Sequence, residues 1–152
     1  MKTINTLLSA ALVMVLLAPP VAAQSDNFGK NKVQYRSFSW SFLQTDHFDI
    51  YFADGGHHLA QFTAVAAESA YASMSRLFRY QLVNRVPLVV YNSHNEFQQT
   101  NVISEYMEEG IGGVTELFKN RVVVPFEGDY RKFRHVIHHE LVHAVMNDMF
   151  YG

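Results

Sequence analysis

Cysteine is absent from all 152 residues. That excludes disulfide staples and thiolate chemistry, and it leaves only histidine and carboxylates to hold a metal. It also excludes a lipoprotein-type export signal, whose lipid is carried on a cysteine. Basic runs are missing too: 12 Lys and Arg against 14 Asp and Glu give a formal net charge of −2. With no basic stripe visible along the chain, nucleic-acid binding has no electrostatic support. The most apolar stretch, Leu7 to Ala18, is shorter than the ~20 residues of a membrane-spanning helix. No internal repeat or low-complexity segment is visible.

What is present begins with an export pattern. Lys2 supplies a positive start, Leu7 to Ala18 an apolar centre, and Val21-Ala22-Ala23 a small-residue cleavage site before Gln24. Residues 1–23 are therefore expected to be a signal peptide, and the mature chain to be periplasmic or secreted with no transmembrane anchor. Lys2 is the only charged residue removed, so the net charge of −2 becomes −3. The remainder suffices for one domain with a modest core.

Residues 24–45 mix polar and aromatic side chains, with Tyr35, Phe38, Trp40 and Phe42 at nearly alternating positions. They read as an extended N-terminal arm or as an edge strand laid on the domain. From residue 46 the pattern becomes regular. His47 to Phe52 alternates as a strand, and Asp54-Gly55-Gly56 turns the chain. His57 to Tyr80 then repeats apolar residues at helical spacing through Leu59, Phe62, Ala66, Ala70, Met74 and Leu77. On that stripe Met74 is a core residue, and His57 and His58 are solvated positions in the first turn. Val86 to Tyr91 is a short buried strand. Ser93, with Glu96 three residues on, forms a capping box that starts a helix near His94. Asn101 to Gly113 carries Glu105, Glu108 and Glu109 and ends in a glycine cluster, the mark of a loop or a frayed helix. Val114 to Phe118 and Arg121 to Phe126 flank Lys119-Asn120 and predict a hairpin around a two-residue turn. Asp129 is placed to cap the helix that follows. The fold class expected is α/β (α+β): a mixed sheet with one long helix before the last.

That last helix carries the chemistry. Phe133, Val136, Ile137, Leu141, Ala144 and Val145 give it an apolar face, and no Gly or Pro interrupts it. Within it His139-Glu140-Leu141-Val142-His143 reads H-E-x-x-H. Chance alone produces this pattern somewhere in a chain of such composition with a probability of roughly 2%. Histidines four apart project from one helix face and reach a single Zn²⁺. Glu140 lies about 100° around the helix from His139, placed to take a proton from a metal-bound water rather than to ligate. His135 continues an i, i+4, i+8 series with His139 and His143. Eight residues span about 12 Å of helix, so the outer pair cannot share an ion. His135 and His138 therefore read as solvated or supporting residues, and a third ligand must come from another element.

Four stretches together resemble the bacterial peptidase MA-like family. They are Phe28 to Tyr35, His47 to Tyr51, Gly112-Gly-Val-Thr-Glu116, and His138 to Ala144. The resemblance covers nearly all of the mature chain and implies a zincin-like N-terminal subdomain, residues 46–152. It implies His139 and His143 as ligands of one Zn²⁺, Glu140 as the general base, and a peptide or protein as substrate. Such zincins take a third ligand, a Glu, from a later helix, and exported relatives join the domain to a C-terminal TolB-like β-propeller. No such Glu follows His143, and Glu109-Gly110 echoes the pattern on the wrong side of the helix. The chain is therefore expected to be a fragment of something longer. The resemblance also implies that an edge strand of Gly113, Val114, Thr115 and Glu116 pairs with extended substrate. From residues alone, an ordinary hairpin explains that strand equally well. The function expected is zinc-dependent hydrolysis of peptide bonds. The alternative is a zincin-shaped interaction or scaffold module without catalysis.

Overall fold

A computed structural model describes residues 37–99 and 112–152. The expected signal peptide, most of the arm, and Glu105, Glu108 and Glu109 fall outside the described residues. Strands with one face buried form the centre. β1 (Trp40–Gln44), β2 (Phe48–Ala53), β3 (Val86–Tyr91), β4 (Val114–Glu116) and β5 (Arg121–Pro125) make one five-stranded sheet in the order β1-β2-β3-β5-β4. β2, β3 and β5 run parallel, whereas β1 and β4 lie antiparallel at the two edges. The fold is thus mixed α/β.

Alternation sets the two faces of the sheet. Phe48, Ile50, Leu88, Val90, Val122 and Val124 are buried on one side. On that side lie two long helices, α1 (His57–Phe78) and α3 (Tyr130–Tyr151). The other side carries a smaller cluster of Tyr91, Phe97 and Val123, to which the short helix α2 (His94–Phe97) contributes. Parallel strands need a crossover, and α1 supplies the one between β2 and β3. Its buried stripe of Leu59, Thr63, Ala66, Ala67, Ala70, Tyr71 and Met74 is rich in small side chains, which lets it sit close against its neighbours. Leu77 departs from the sequence expectation. It is 77% exposed, because the stripe has turned through Tyr71 and Met74 and leaves Leu77 facing water.

The ends of the elements follow local chemistry. Gly55 has φ +81°, in the left-handed region that the turn into α1 requires. Ser93 accepts a hydrogen bond from the Glu96 amide, as the capping box predicts, although the helix it starts is only one turn long. The hairpin differs from expectation. Leu117–Lys119 coil into a 3₁₀ turn and Asn120 takes the left-handed conformation (φ 46°), so Glu116 pairs with Arg121 across a longer loop. Asn147 on α3 explains the detour: its amide donates to the Leu117 carbonyl at 2.8 Å and holds the loop against the helix. Residues 40–44, read from sequence as part of an extended arm or an edge strand, are the edge strand, paired with β2 along their whole length.

The β1–β2 corner is tied to α1 by the Glu68 carboxylate. The Glu68 carboxylate accepts from the His47 backbone amide at 3.0 Å, and its other oxygen lies 2.8 Å from His47 Nδ1. Burial works to raise the Glu68 pKa, but hydrogen bonds from Thr45 and His47 outweigh it and hold the carboxyl below its ordinary value. A carboxyl depressed in the folded state stabilises the fold above its unfolded pKa and loses that contribution as pH falls through the folded one. Glu68→Gln is therefore expected to lower the denaturant midpoint at neutral pH, with the gap to wild type closing in the acid range. A gap that stays constant across that range removes the charge from the account.

Candidate functional site

Helix α3 is positioned from its first turn. Asp129 caps it as expected, accepting from the Arg131 amide at 2.8 Å and the Lys132 amide at 3.2 Å. Those two donors hold the Asp129 carboxyl below its usual range. Phe126 and Phe133 pack edge to face at 5.4 Å beside the cap. Beyond it Phe133, Ile137, Leu141, Ala144 and Val145 are buried against the sheet and α1. Burying that face fixes the rotation of the helix, and the rotation decides what every polar residue on it does. Asp148, near the far end, is also buried; it accepts from the Tyr80 hydroxyl at 3.0 Å and the Val83 amide at 3.2 Å.

His139 and His143 both emerge into solvent. Their Nε2 atoms stand 3.3 Å apart, with the rings inclined at 80°. Two nitrogen ligands at about 2.0–2.1 Å from a tetrahedral zinc stand roughly 3.3–3.4 Å from each other. The separation fits the bite of one such ion. Among the described residues no group of three or more His, Cys, Asp or Glu side chains is arranged to hold a metal. The two histidines are a pair without a third partner there.

Glu140 is buried, 7% exposed, and its environment was not legible from the helix alone. Thr115 on β4 donates its hydroxyl towards Glu140 Oε2 at 2.7 Å, with the Glu140 carbonyl 3.0 Å from the same oxygen. One proton cannot serve both fully, and the shorter contact is to the charged acceptor. The carboxylate is thus clamped between its own helix and the edge strand. Gly113 makes the approach feasible. A Cβ there would lie 2.9 Å from Val124 Cγ1 and 3.0 Å from both Glu140 Cγ and Val136 Cγ1. Gly112 is similarly pressed on Val136.

The expected edge-strand residues separate into two faces. Thr115 turns towards α3, whereas Val114 joins the cluster on the far face and Glu116 pairs there with Arg121 at 2.6 Å. Gly113 precedes the strand instead of belonging to it. Among the described residues β4 has β5 as its sole neighbour in the sheet. No described helix is long and apolar enough to cross a membrane.

His135 and His138 lie on the arc of α3 next to that of the His139–His143 pair, with His135 one turn before His139. They line a groove between α1 and α3 together with Arg131, Arg134, Ser69 and Ser73. Reading the chain linearly missed this cluster, since its cations are separated by other residues. The signal was there in the spacing, because positions 131, 134, 135 and 138 recur at helical intervals on one face.

A scan against protein-family models and searches of curated proteins and of solved structures find no match. The reading of the site therefore rests on its own residues.

The tight seat of Gly113 gives a direct test. Gly113→Ala forces a methyl among Val124, Val136 and Glu140 and is expected to destabilise the fold by about 1–3 kcal/mol, as overpacking does. Denaturant unfolding measures it. An Ala variant as stable as wild type would mean that β4 and α3 are not in the contact described.

Proposed function

We propose that this chain carries the catalytic helix of a zinc-dependent peptidase, hydrolysing peptide bonds in an exported compartment. The observation that carries the reading is the 3.3 Å convergence of His139 Nε2 and His143 Nε2, which suits two positions of a tetrahedral zinc shell. To ligate, both rings must be neutral with the proton on Nδ1, leaving both Nε2 lone pairs for the ion. The chemistry zinc supplies when bound is Lewis acidity towards water and towards the scissile carbonyl.

The chain's own residues divide the remaining work. Glu140 is the general base: it accepts the proton of the attacking water and passes it to the leaving amine. Thr115 holds one carboxylate oxygen at 2.7 Å, so the proton is taken on the other. The outer edge of β4 offers its backbone to an extended peptide, which joins the sheet as a further strand. The proposed substrate is accordingly an extended peptide segment or unfolded stretch of protein. Two imidazoles alone hold zinc weakly, so catalysis requires a further carboxylate from outside the described residues.

That requirement is also what favours a second reading. A zincin-like module without catalysis, docking on another domain such as a β-propeller, needs no third ligand, and none is grouped with the pair among the described residues.

The two readings part on metal content and hydrolysis. For the peptidase, the full-length exported protein is expected to hold about one zinc per chain. His143→Ala should lose the metal. Glu140→Ala should keep it while peptide hydrolysis falls by about 10²–10⁴-fold. Retention of full activity by Glu140→Ala would dismiss the proposed base. Protein that neither retains nor takes up zinc belongs to the module reading.

Thr115 provides a finer measurement on the same protein. Thr115→Val should lower kcat by about tenfold or more with little change in KM, and Thr115→Ser, which restores the hydroxyl, should recover most of it. Equal rates in the Val and Ser variants would limit Thr115 to packing.

A further inference from the structure

We propose that the groove between α1 and α3 is a binding site for a phosphate-type anion, separate from the His139–His143 pair. Arg131, Arg134, His135 and His138 line it from α3, and the hydroxyls of Ser69 and Ser73 line it from α1. Its volume is about 310 Å³, and no carboxylate stands among its lining residues. Such an assembly is specific to the fold, since the serines and the cations come from different elements.

Three observations set this groove apart from an ordinary solvated helix face. First, the chain is net negative, at −2, so a concavity lined by two guanidiniums and no carboxylate is a local arrangement and not the overflow of a basic protein. Second, the described residues form no ion pair with the guanidinium of Arg131 or Arg134. Arg134 instead lies over the Phe62 ring at 5.1 Å, which restrains its planar fork without neutralising it. Third, Arg131, Lys132 and Arg134 open a 22-residue helix with no acidic residue in its first turn, and the Asp129 cap supplies a single carboxylate that the Arg131 and Lys132 amides already engage. Three positive side chains therefore meet one negative charge there, and a bound anion evens the balance.

The chemistry of the lining selects the ligand. Two guanidiniums present parallel N–H pairs suited to the oxygens of a phosphate, and the Ser69 hydroxyl adds a neutral donor, while the Ser73 hydroxyl donates to the Ser69 carbonyl at 3.3 Å. The site is the side-chain cluster. The helix's first-turn amides take no part, because Asp129 already accepts from Arg131 and Lys132. Free phosphate, a phosphorylated metabolite and a lipid headgroup share the chemistry recognised.

Inorganic phosphate is the probe. It is titrated into the full chain at low ionic strength and neutral pH, with amide chemical shifts followed by NMR. Metal is removed by dialysis beforehand, so that binding owes nothing to zinc at His139 and His143. Saturable shifts in α1 and α3 at millimolar phosphate are expected. The double variant Arg131→Gln/Arg134→Gln should weaken binding about tenfold or more, whereas Lys132→Gln, an equal charge outside the groove, should leave it within about twofold. Ser69→Glu, which leaves α3 untouched and sets a carboxylate in the groove, should abolish binding. Absence of saturable shifts overturns the proposal, as does wild-type binding by the double variant or by Ser69→Glu. Equal loss in Lys132→Gln also overturns it, because a diffuse field would then be the cause. Co-sedimentation with phosphatidylcholine vesicles only when they contain phosphatidic acid assigns the phosphate to a lipid headgroup. Phosphate binding without co-sedimentation assigns it to a soluble ester.

Discussion

The hydroxyl of Thr115 and the carboxylate of Glu140 form the contact on which the rest of this structure turns. A carboxylate that is 7% exposed is costly to bury unless a donor meets it. β4 supplies that donor from the sheet edge, and the two glycines before it let the backbone come close enough. The rotation of α3 is then doubly determined. Its apolar face requires Ile137, Leu141 and Ala144 to point inwards, and the Thr115 contact requires Glu140 to point at β4. His139 and His143, on the remaining arc, have nowhere to go but solvent beside that strand.

The same rotation divides the polar surface of α3 into regions of different chemistry. On one arc two neutral-capable imidazoles converge and a carboxylate stands behind them. On another, two guanidiniums and two imidazoles look across to the serines of α1. A helix of 22 residues has room for both, since a given face recurs every 3.6 residues and neighbouring side chains diverge by about 100°. The proposed anion groove and the proposed metal pair are thus linked through the packing of one apolar face. They do not share side chains.

Much of this frame was written locally. Alternation in Phe48 to Phe52 and the apolar run Val86 to Tyr91 mark strands because burial on one or both faces leaves that imprint. Asp129 and Ser93 announce helix starts because a cap acts within three residues. What escaped the sequence is whatever depends on a partner far along the chain. The hairpin loop is longer than its Lys119-Asn120 signal implies because Asn147, on α3, holds Leu117 out of the strand. Leu77 fits the apolar period and yet faces water, since the period drifts along the helix and its last turns pack Met74 and Phe78 on the core instead. Trp40 to Gln44 is the edge strand that the aromatic spacing offered beside an extended arm, and β2, whose free edge decides between the two, lies further along the chain. The role of Thr115 was hidden for the same reason. A threonine in a short strand carries no mark of the carboxylate it will meet.

The H-E-x-x-H pattern was legible, but its meaning depends on where two protons sit. At 3.3 Å the Nε2 atoms of His139 and His143 are also within hydrogen-bonding reach. If one ring carries its proton on Nε2 and the other on Nδ1, the pair is satisfied by that proton alone. If both carry it on Nδ1, two lone pairs face each other and demand a cation. In the proposed metal site, zinc would compete with a proton for the same gap, and affinity for the metal would rest on how firmly the second tautomer is held. Both rings are exposed, so water can hydrogen-bond Nδ1 in either ring. A buried acceptor behind each Nδ1 would bias the pair towards metal. Under the proposed peptidase reading, the exposed arrangement would leave the balance to a third ligand, whose charge would attract the ion at no cost to the imidazoles. On that reading a carboxylate, and not a further histidine, would best complete the pair.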